Sequence, residues 1–290
     1  MSIKENTLIY KLYYLSLKDI WLDILLPILL GAALALNLSS QFNIIYLLIT
    51  LFTLLVFIIA ANSWIQYFFD KANLYQFIYQ LHFLKNKKKS TAKYFEIEKK
   101  ELFLIAIIFT LLTITLIFFT INISNILFIL IISSLLLFFL YIFLQVKIID
   151  SYFDEFIIGL LGGPMLISIS YIIHSGEFNL AVILLSLPIA LFIINLRWVS
   201  QHNNKYSFKG FKVLLLLIYA SFALIFSYYN NVLFLLLYIS LPFVMTKIKN
   251  KENLLSYNKK YKIVSFSRKL YYYSTILLIT LLILDYITSI

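Results

Sequence analysis

The chain has 290 residues, 62% of them hydrophobic and only 13% charged, with a mean hydropathy of +0.95 and a formal net charge of +11. Soluble domains carry about 25% charged residues, so this composition excludes a water-soluble globular protein and points to an integral membrane protein. Cysteine is absent, which excludes a disulfide framework and a thiolate metal site.

An apolar layer is crossed by about 20 helical residues, because every backbone polar group must be satisfied within the segment. Nine runs meet that length, and the fold class they predict is all-α: a polytopic bundle of nine transmembrane helices with cytoplasmic cap loops, in one domain over 1–290. The first run, 20–38, is too long and too poorly flanked for a cleavable signal peptide, so all 290 residues are read as mature protein. The second, 44–62, ends in "AANSWIQYFFDKAN", where Asn62, Gln66 and Asp70 stand at steps of four on one helical stripe. A loop of about 63–101 follows. Its first half is aromatic and apolar enough to lie in the interface, with His82 as an interfacial side chain, and its "KNKKKSTAK" reads as a solvated anchor to anionic lipid. Runs 102–121 and 125–146 are joined by "INISN", and a loop of about 147–155 leads to run 156–173. The turn "HSGEFN" precedes run 179–197, a loop of about 198–211 precedes run 212–228, and "YYNN" precedes run 231–247. A last loop, about 248–270, leads to run 271–288.

The connections alternate in character. All 24 lysines and arginines fall on the N-terminal segment, the long loops or the run ends that border them, and none on the short returns. By the positive-inside rule the N-terminus and the long loops are cytoplasmic and the C-terminus is outside. The basic balance then matches the lipid bilayer with its anionic inner leaflet, and no nucleic-acid partner is implied. Charged residues inside the runs are few: Asp23 and Asp285 lie near run ends, where they snorkel, and Arg197 closes the sixth run. A coupled transporter needs midplane carboxylates or broken helices, and neither stands out. Polar groups gather at the cytoplasmic ends instead, which suits a site taking a lipid-like tail from the bilayer and a polar head from the cytoplasm. Pro27, Gly31 and Gly163-Pro164 read as close helix contacts or kinks. His174 and Glu177 read as solvated residues of an outside turn.

The segment "SLKDIWLDILLPILLGAALAL" carries Pro27 and Gly31 behind Lys18, and "DEFIIGLLGGPMLISISYIIHSGEFN" carries Glu155, Gly163-Pro164, Tyr171 and the turn Ser175-Gly176-Glu177. In these residues, taken in order, the chain resembles the UbiA superfamily of intramembrane prenyltransferases, closest to the menaquinone-biosynthesis branch, the dihydroxynaphthoate prenyltransferases. The resemblance implies nine helices, a cytoplasmic N-terminus and two cytoplasmic acidic loops. It also implies transfer of a chain from a polyprenyl diphosphate to a small aromatic or polar acceptor, with magnesium as cofactor. Tyr141 falls on the tyrosine with which that branch begins its loop, where an interfacial aromatic is the alternative reading.

The first acidic motif of the family reads NDxxDxxxD, and here the matching stretch reads Asn62-Ser63-x-x-Gln66-x-x-x-Asp70. The resemblance therefore implies Asp70 as metal anchor, with Asn62 and Gln66 as neutral oxygen ligands. The second motif should follow the sixth run, but "RWVSQHNNKYSFKGFK" has no acidic residue. Its two ligand positions fall on His202 and Tyr206, on Asn203 and Ser207, or on Trp198 and His202. Lys147, Arg197, Lys205, Lys209 and Lys212 surround the same mouth, where they act as cationic clamps on a diphosphate or simply express the positive-inside bias. The expected site is thus Asp70, Lys147 and Tyr141 for catalysis, with Asn62, Gln66, Arg197, His202, Asn203, Lys205 and Lys209 for substrate, and magnesium held weakly or not at all. Two other classes stay open: a non-catalytic isoprenoid-binding or accessory membrane protein, and a transporter.

Overall fold

The computed structural model describes residues 12, 21–69, 98–121, 123–147, 152–201, 205–241, 244 and 257–289, and no strand occurs among them. In chain order they form α1 (Trp21–Ser39), α2 (Ile44–Phe69), α3 (Lys99–Ile121) and α4 (Asn125–Lys147). Then come α5 (Tyr152–Leu160), a π-helical turn (Leu161–Met165) and α6 (Leu166–Ser175), which together make one crossing, and α7 (Leu180–Gln201). The chain closes with α8 (Lys205–Tyr229), a 3-10 helix (Val232–Ser240) and α9 (Tyr257–Ser289). Among the described residues seven segments are long and apolar enough to cross a membrane, and one further apolar stretch, Asn125–Tyr141, is shorter. By length and composition this is a multi-pass membrane protein. The eighth expected run, 231–247, overlaps the 3-10 helix, and residues 242–243 and 245–247 of it lie outside the described residues.

Several helices overrun the loops that hydropathy suggests. α2 continues past Asn62 and Gln66 to Phe69, and Trp64 locks this part onto α3: the indole Nε1 donates to Thr110 Oγ1 at 2.9 Å, and the ring stacks on Phe68 and meets Phe103 edge-on. α9, described from Tyr257, includes residues of the expected loop; among these and at the residue that follows them, Val264, Ser267, Leu270 and Tyr271 recur at helical spacing and are buried.

Three of the short turns share a construction. Ser40 and Asn230 adopt φ of 55° and 49°, and Gly176 adopts 73°, each ending a helix in the left-handed region. The Gly176 N–H donates back to the Ile172 carbonyl at 2.8 Å, closing α6. The next helix is then opened by an asparagine whose side-chain oxygen accepts a backbone N–H two residues on: Asn43 from Ile45 at 2.9 Å, Asn179 from Ala181 at 2.9 Å and Asn231 from Leu233 at 3.0 Å.

Helices α1, α5–α6, α7, α8 and α9 form the main packed group. Small residues let its backbones approach. A Cβ on Gly31 would lie 2.5 Å from the Ile167 carbonyl oxygen, and beside it Ser170 Oγ donates to the Ile28 carbonyl at 2.7 Å, joining α1 to α6. A Cβ on Gly163 would lie 2.8 Å from the backbone nitrogen of Ala190, joining the π-helical turn to α7. α1 and α9 run parallel, since Tyr271 Oη donates to the Asp23 carbonyl at one end and Asn37 Nδ2 donates to the Leu282 carbonyl at the other. Asp285, expected to snorkel, accepts instead from Asn37 Nδ2 at 3.1 Å and from Asn231 Nδ2 at 2.7 Å, tying three elements together. His174, expected to be solvated, is buried in the last turn of α6; its Nδ1 accepts from the Asn43 N–H at 3.2 Å and its ring stacks on Phe42. Glu177 is exposed, as expected.

α2 and α3 make a second unit, closely packed on each other and lightly on the rest. α4 stands between the two units. A gap bounded on three sides results, and it positions the site.

Candidate functional site

The gap is a cavity of about 260 Å³. Its walls come from α1 (Asp23, Ile24), α2 (Thr50 to Ile58), α3 (Thr113, Ile117), α4 (Ile131 to Tyr141), the α5–α6 crossing (Ile158 to Ile173) and Ile193 of α7. Ile158 and Ile173 alone are separated by roughly 22 Å at the helical rise of about 1.5 Å per residue, so the lined space runs along most of a membrane crossing.

The wall has few polar atoms to offer a ligand. Thr50, Thr53, Thr113 and Ser134 all line it, yet each hydroxyl donates to a carbonyl one turn back in its own helix, at 2.7, 2.8, 2.7 and 2.7 Å. What remains is methyl, methylene and ring surface, including Phe57 and Phe138, whose rings meet edge-on at 5.3 Å. Such a surface suits a long hydrocarbon chain.

Charge is confined to one end. Asp23 lines the cavity at 5% exposure, with its carboxylate 3.7 Å from Arg268 of α9. The expectation that Asp23 snorkels is therefore corrected: α9 starts early enough to bring a guanidinium to it. Tyr141 also lines this end and is buried, and the guanidinium of Arg197 stands 5.9 Å from its ring centre in cation–π geometry. Arg197, at 1% exposure, is the largest fully buried side chain among the described residues. The family pattern puts Tyr141 at the start of a loop, whereas here it is inside α4, which continues to Lys147.

Buried Glu155 belongs to the same level. Gly159 lies against Ile194 and Gly163 against Ala190, and this antiparallel register carries Glu155 to the height of Arg197 and Trp198. Buried opposite charges on adjacent helices are costly to keep in a membrane, so an acid and a base at one level mark a functional region.

Asn62 is fully buried one turn beyond Ile58, which lines the cavity, and Gln66 is half-buried one turn farther on. Gln66 Nε2 donates to Asn62 Oδ1 at 3.4 Å, so the first two members of the polar stripe touch. Together they offer amide oxygens and no charge, and magnesium is normally anchored by one or two carboxylates. The pair does not fit a magnesium site by itself. Among the described residues no group of three His, Cys, Asp or Glu side chains could hold a metal ion.

Asp70, His202 and Asn203 lie outside the described residues. Lys147 is the last residue of α4 and Lys205 the first of α8, at the end of the bundle where Asp23 and Arg197 also sit; Lys209, one turn into α8, is exposed. The structure thus brings Tyr141 and Arg197 together and puts Asn62 beside Gln66. It adds Asp23, Arg268 and Glu155, which sequence reasoning left out of the site. Their signal was available: an intramembrane charge is expensive wherever it stands, so Asp23 merited a partner.

Compared with known proteins, the chain matches no family model, and no curated protein matches it. The site is therefore read from its own chemistry.

Proposed function

We propose that this chain is a UbiA-type membrane prenyltransferase, moving a polyprenyl chain from its diphosphate to an aromatic or other polar acceptor. The observation that carries the proposal is the long apolar cavity with its charged groups collected at one end. A prenyl tail fits the apolar part, and the diphosphate then lies at the end where Lys147, Arg197, Lys205 and Lys209 stand or emerge. With nine crossings and the positive-inside orientation, that end faces the cytoplasm, the N-terminus is inside and the C-terminus outside.

In the reaction the bond from allylic carbon to diphosphate oxygen breaks and the diphosphate leaves with the electron pair. Cationic side chains meet the charge that develops on it. Tyr141, Phe57 and Phe138 present ring faces and edges to the tail and shield the allylic cation. An electron pair of the acceptor closes the new bond, and the acceptor gives up one proton. Asn62 and Gln66 lie toward the diphosphate end, with Asp70, His202 and Asn203 assigned to it by resemblance. Since Asn62 and Gln66 bring no charge, the basic residues carry the larger share of diphosphate binding and any magnesium at Asp70 the smaller.

The test is a titration of geranyl thiodiphosphate into the purified protein, with magnesium or with chelator. Binding is expected to survive chelation, to weaken as salt shortens the Debye length from about 10 Å at 0.1 M to about 3 Å at 1 M, and to fall several-fold in Lys147→Ala, Lys205→Ala or Lys209→Ala. Binding that vanishes on chelation while the lysine variants are unaffected would show a metal-held diphosphate instead. A second reading is favoured by one feature, the lack of any acidic residue from Arg197 to Lys212: a non-catalytic isoprenoid-binding protein. It predicts that the analogue binds but that no acceptor is ever prenylated.

A further inference from the structure

The far end of the cavity, opposite Asp23 and Tyr141, lies against a contact between the two helical units, and a histidine makes that contact. Thr50 of α2 and Ile173 of α6 line this end. His174 follows Ile173 and is 5% exposed. Its Nδ1 accepts the Asn43 N–H at 3.2 Å, the Phe42 ring stacks on it with centres 5.3 Å apart, and the Tyr46 ring, one turn before Thr50, is tilted against it at 6.4 Å. Gln41, with its amide turned so that both ends are satisfied, donates Nε2 to the carbonyls of His174 and Ser175 at 3.1 Å each. Beside them Leu47 packs on Ile28 and Ala32, an apolar contact without a directional bond. An imidazole nitrogen that accepts carries no proton, so the neutral ring keeps its proton on Nε2. That nitrogen is buried and has no hydrogen-bond partner among the described residues.

We propose that His174 is a proton-released latch: its neutral ring fastens the turn from α1 into α2 onto the end of α6 and keeps the far end of the cavity narrow, and protonation frees the turn and widens it. The latch acts on the cavity whatever fills it, so it goes beyond the prenyl reading and does not depend on it. Chemistry sets the direction. An imidazolium donates from both nitrogens, so taking up a proton removes the acceptor of the Asn43 N–H and sets two N–H groups against each other. It also puts a charge where the ring is almost fully buried and Nε2 has no acceptor, which is costly. The proton therefore binds the released form, and the latch holds at high pH and is lost as pH falls. The surroundings favour the same sense. α2 faces the ring with the Tyr46 phenol, the turn before it with neutral Gln41, Phe42 and Asn43, and α6 itself carries Tyr171 one turn back. The acids at this end are Glu177, exposed in the next turn, and Asp285 of α9, engaged by Asn37 and Asn231. The short returns hold no lysine or arginine, so no cation opposes the charge on a ring that has swung out. α2 belongs to the unit that packs lightly on the rest, and a freed first turn is carried along it to Thr50 on the cavity wall.

A cysteine replacing Thr50, which is 6% exposed, reports whether the far end is open, and one replacing Ser40, exposed on the turn itself, corrects for the effect of pH on thiol reactivity; the native chain has no other cysteine. The purified proteins are labelled with N-ethylmaleimide at about pH 8 and about pH 5, a range that spans the ordinary histidine titration at about 6.5. The rate at Thr50→Cys relative to Ser40→Cys is expected to rise at least about ten-fold from the higher pH to the lower, since one proton bound only by the released form shifts the balance by up to about ten-fold per pH unit. With His174→Gln added, whose amide oxygen accepts the Asn43 N–H and does not titrate, the ratio is expected to stay low at both pH values. A ratio that does not change with pH while His174 is present, or that rises equally with His174→Gln, overturns the proposal. If the His174→Gln protein does not fold, 13C NMR of the labelled histidines decides: a His174 ring whose titration follows the rise in labelling upholds the latch, and a ring that stays neutral through the rise, or titrates without one, refutes it.

Discussion

At the scale of single residues, the bundle is held by small side chains where backbones meet and by a few buried polar bonds. Gly163 shows the first. The nearest atoms to an added Cβ there are the backbone N and Cα and the Cβ of Ala190, at 2.8, 2.9 and 2.8 Å, and none of them can swing aside as a long side chain would. Gly163→Ala is therefore expected to push the π-helical turn away from α7 at a cost of about 1–3 kcal/mol, read as a lowered unfolding midpoint in detergent. The loss should be larger than for Gly162→Ala, where the closest atom, at 2.6 Å, is the terminal methyl of Ile193, which has freedom to move. Equal effects at the two positions would mean that the backbone contact does not limit packing.

At the scale of elements, the site depends on unequal packing. α2 and α3 bind each other through the Trp64 bond to Thr110 and its surrounding rings, and α1 binds α6 and α9 through Gly31, Ser170 and Tyr271. Between these two units the wall helices touch lightly, and the cavity persists because each wall hydroxyl is satisfied within its own helix. Filling it should be tolerated by the fold and not by the ligand. Leu135→Trp or Ile169→Trp, both in the wall, is expected to weaken geranyl thiodiphosphate binding at least about ten-fold, since an indole occupies the space of several methylenes that contribute about 0.8 kcal/mol each when buried. Unchanged affinity in both variants would place the tail elsewhere.

At the scale of the whole molecule, orientation follows from charge. With all 24 basic residues on or bordering one set of connections, cysteines introduced singly at Ser40 or Glu177, both exposed on short turns that lack lysine and arginine, are expected to react with an impermeant thiol reagent applied to intact cells. A cysteine at Lys88 is expected to react only after the membrane is opened. The reverse pattern would invert the molecule and with it the side from which a diphosphate enters. The native chain has no cysteine, so each label reports one position.

The sequence by itself determined the helical class, the presence of membrane-spanning segments and the grouping of basic residues, because these follow from hydropathy summed over windows of about 20 residues. It also marked Tyr141, Arg197 and the Asn62–Gln66 stripe as residues of interest. It did not determine helix ends. α2 runs on past Asn62 to at least Phe69, and α9 already includes Val264, Ser267 and Leu270, because tertiary partners bury residues such as Ile65 and Leu270 that hydropathy counts as loop. Nor did it determine which charges are buried. Asp23 and Arg268 stand 245 positions apart in the chain, and only the parallel packing of α1 on α9 brings them to 3.7 Å. Asp285 and His174 were likewise read as water-facing from their places near segment ends, whereas Asn37 of α1 and the turn residues Asn231 and Asn43 supply them with partners. Periodicity reports which face of one helix is apolar. Which face meets which, and where a gap is left between them, is fixed by the small residues at the crossings, and that is decided only when the helices pack.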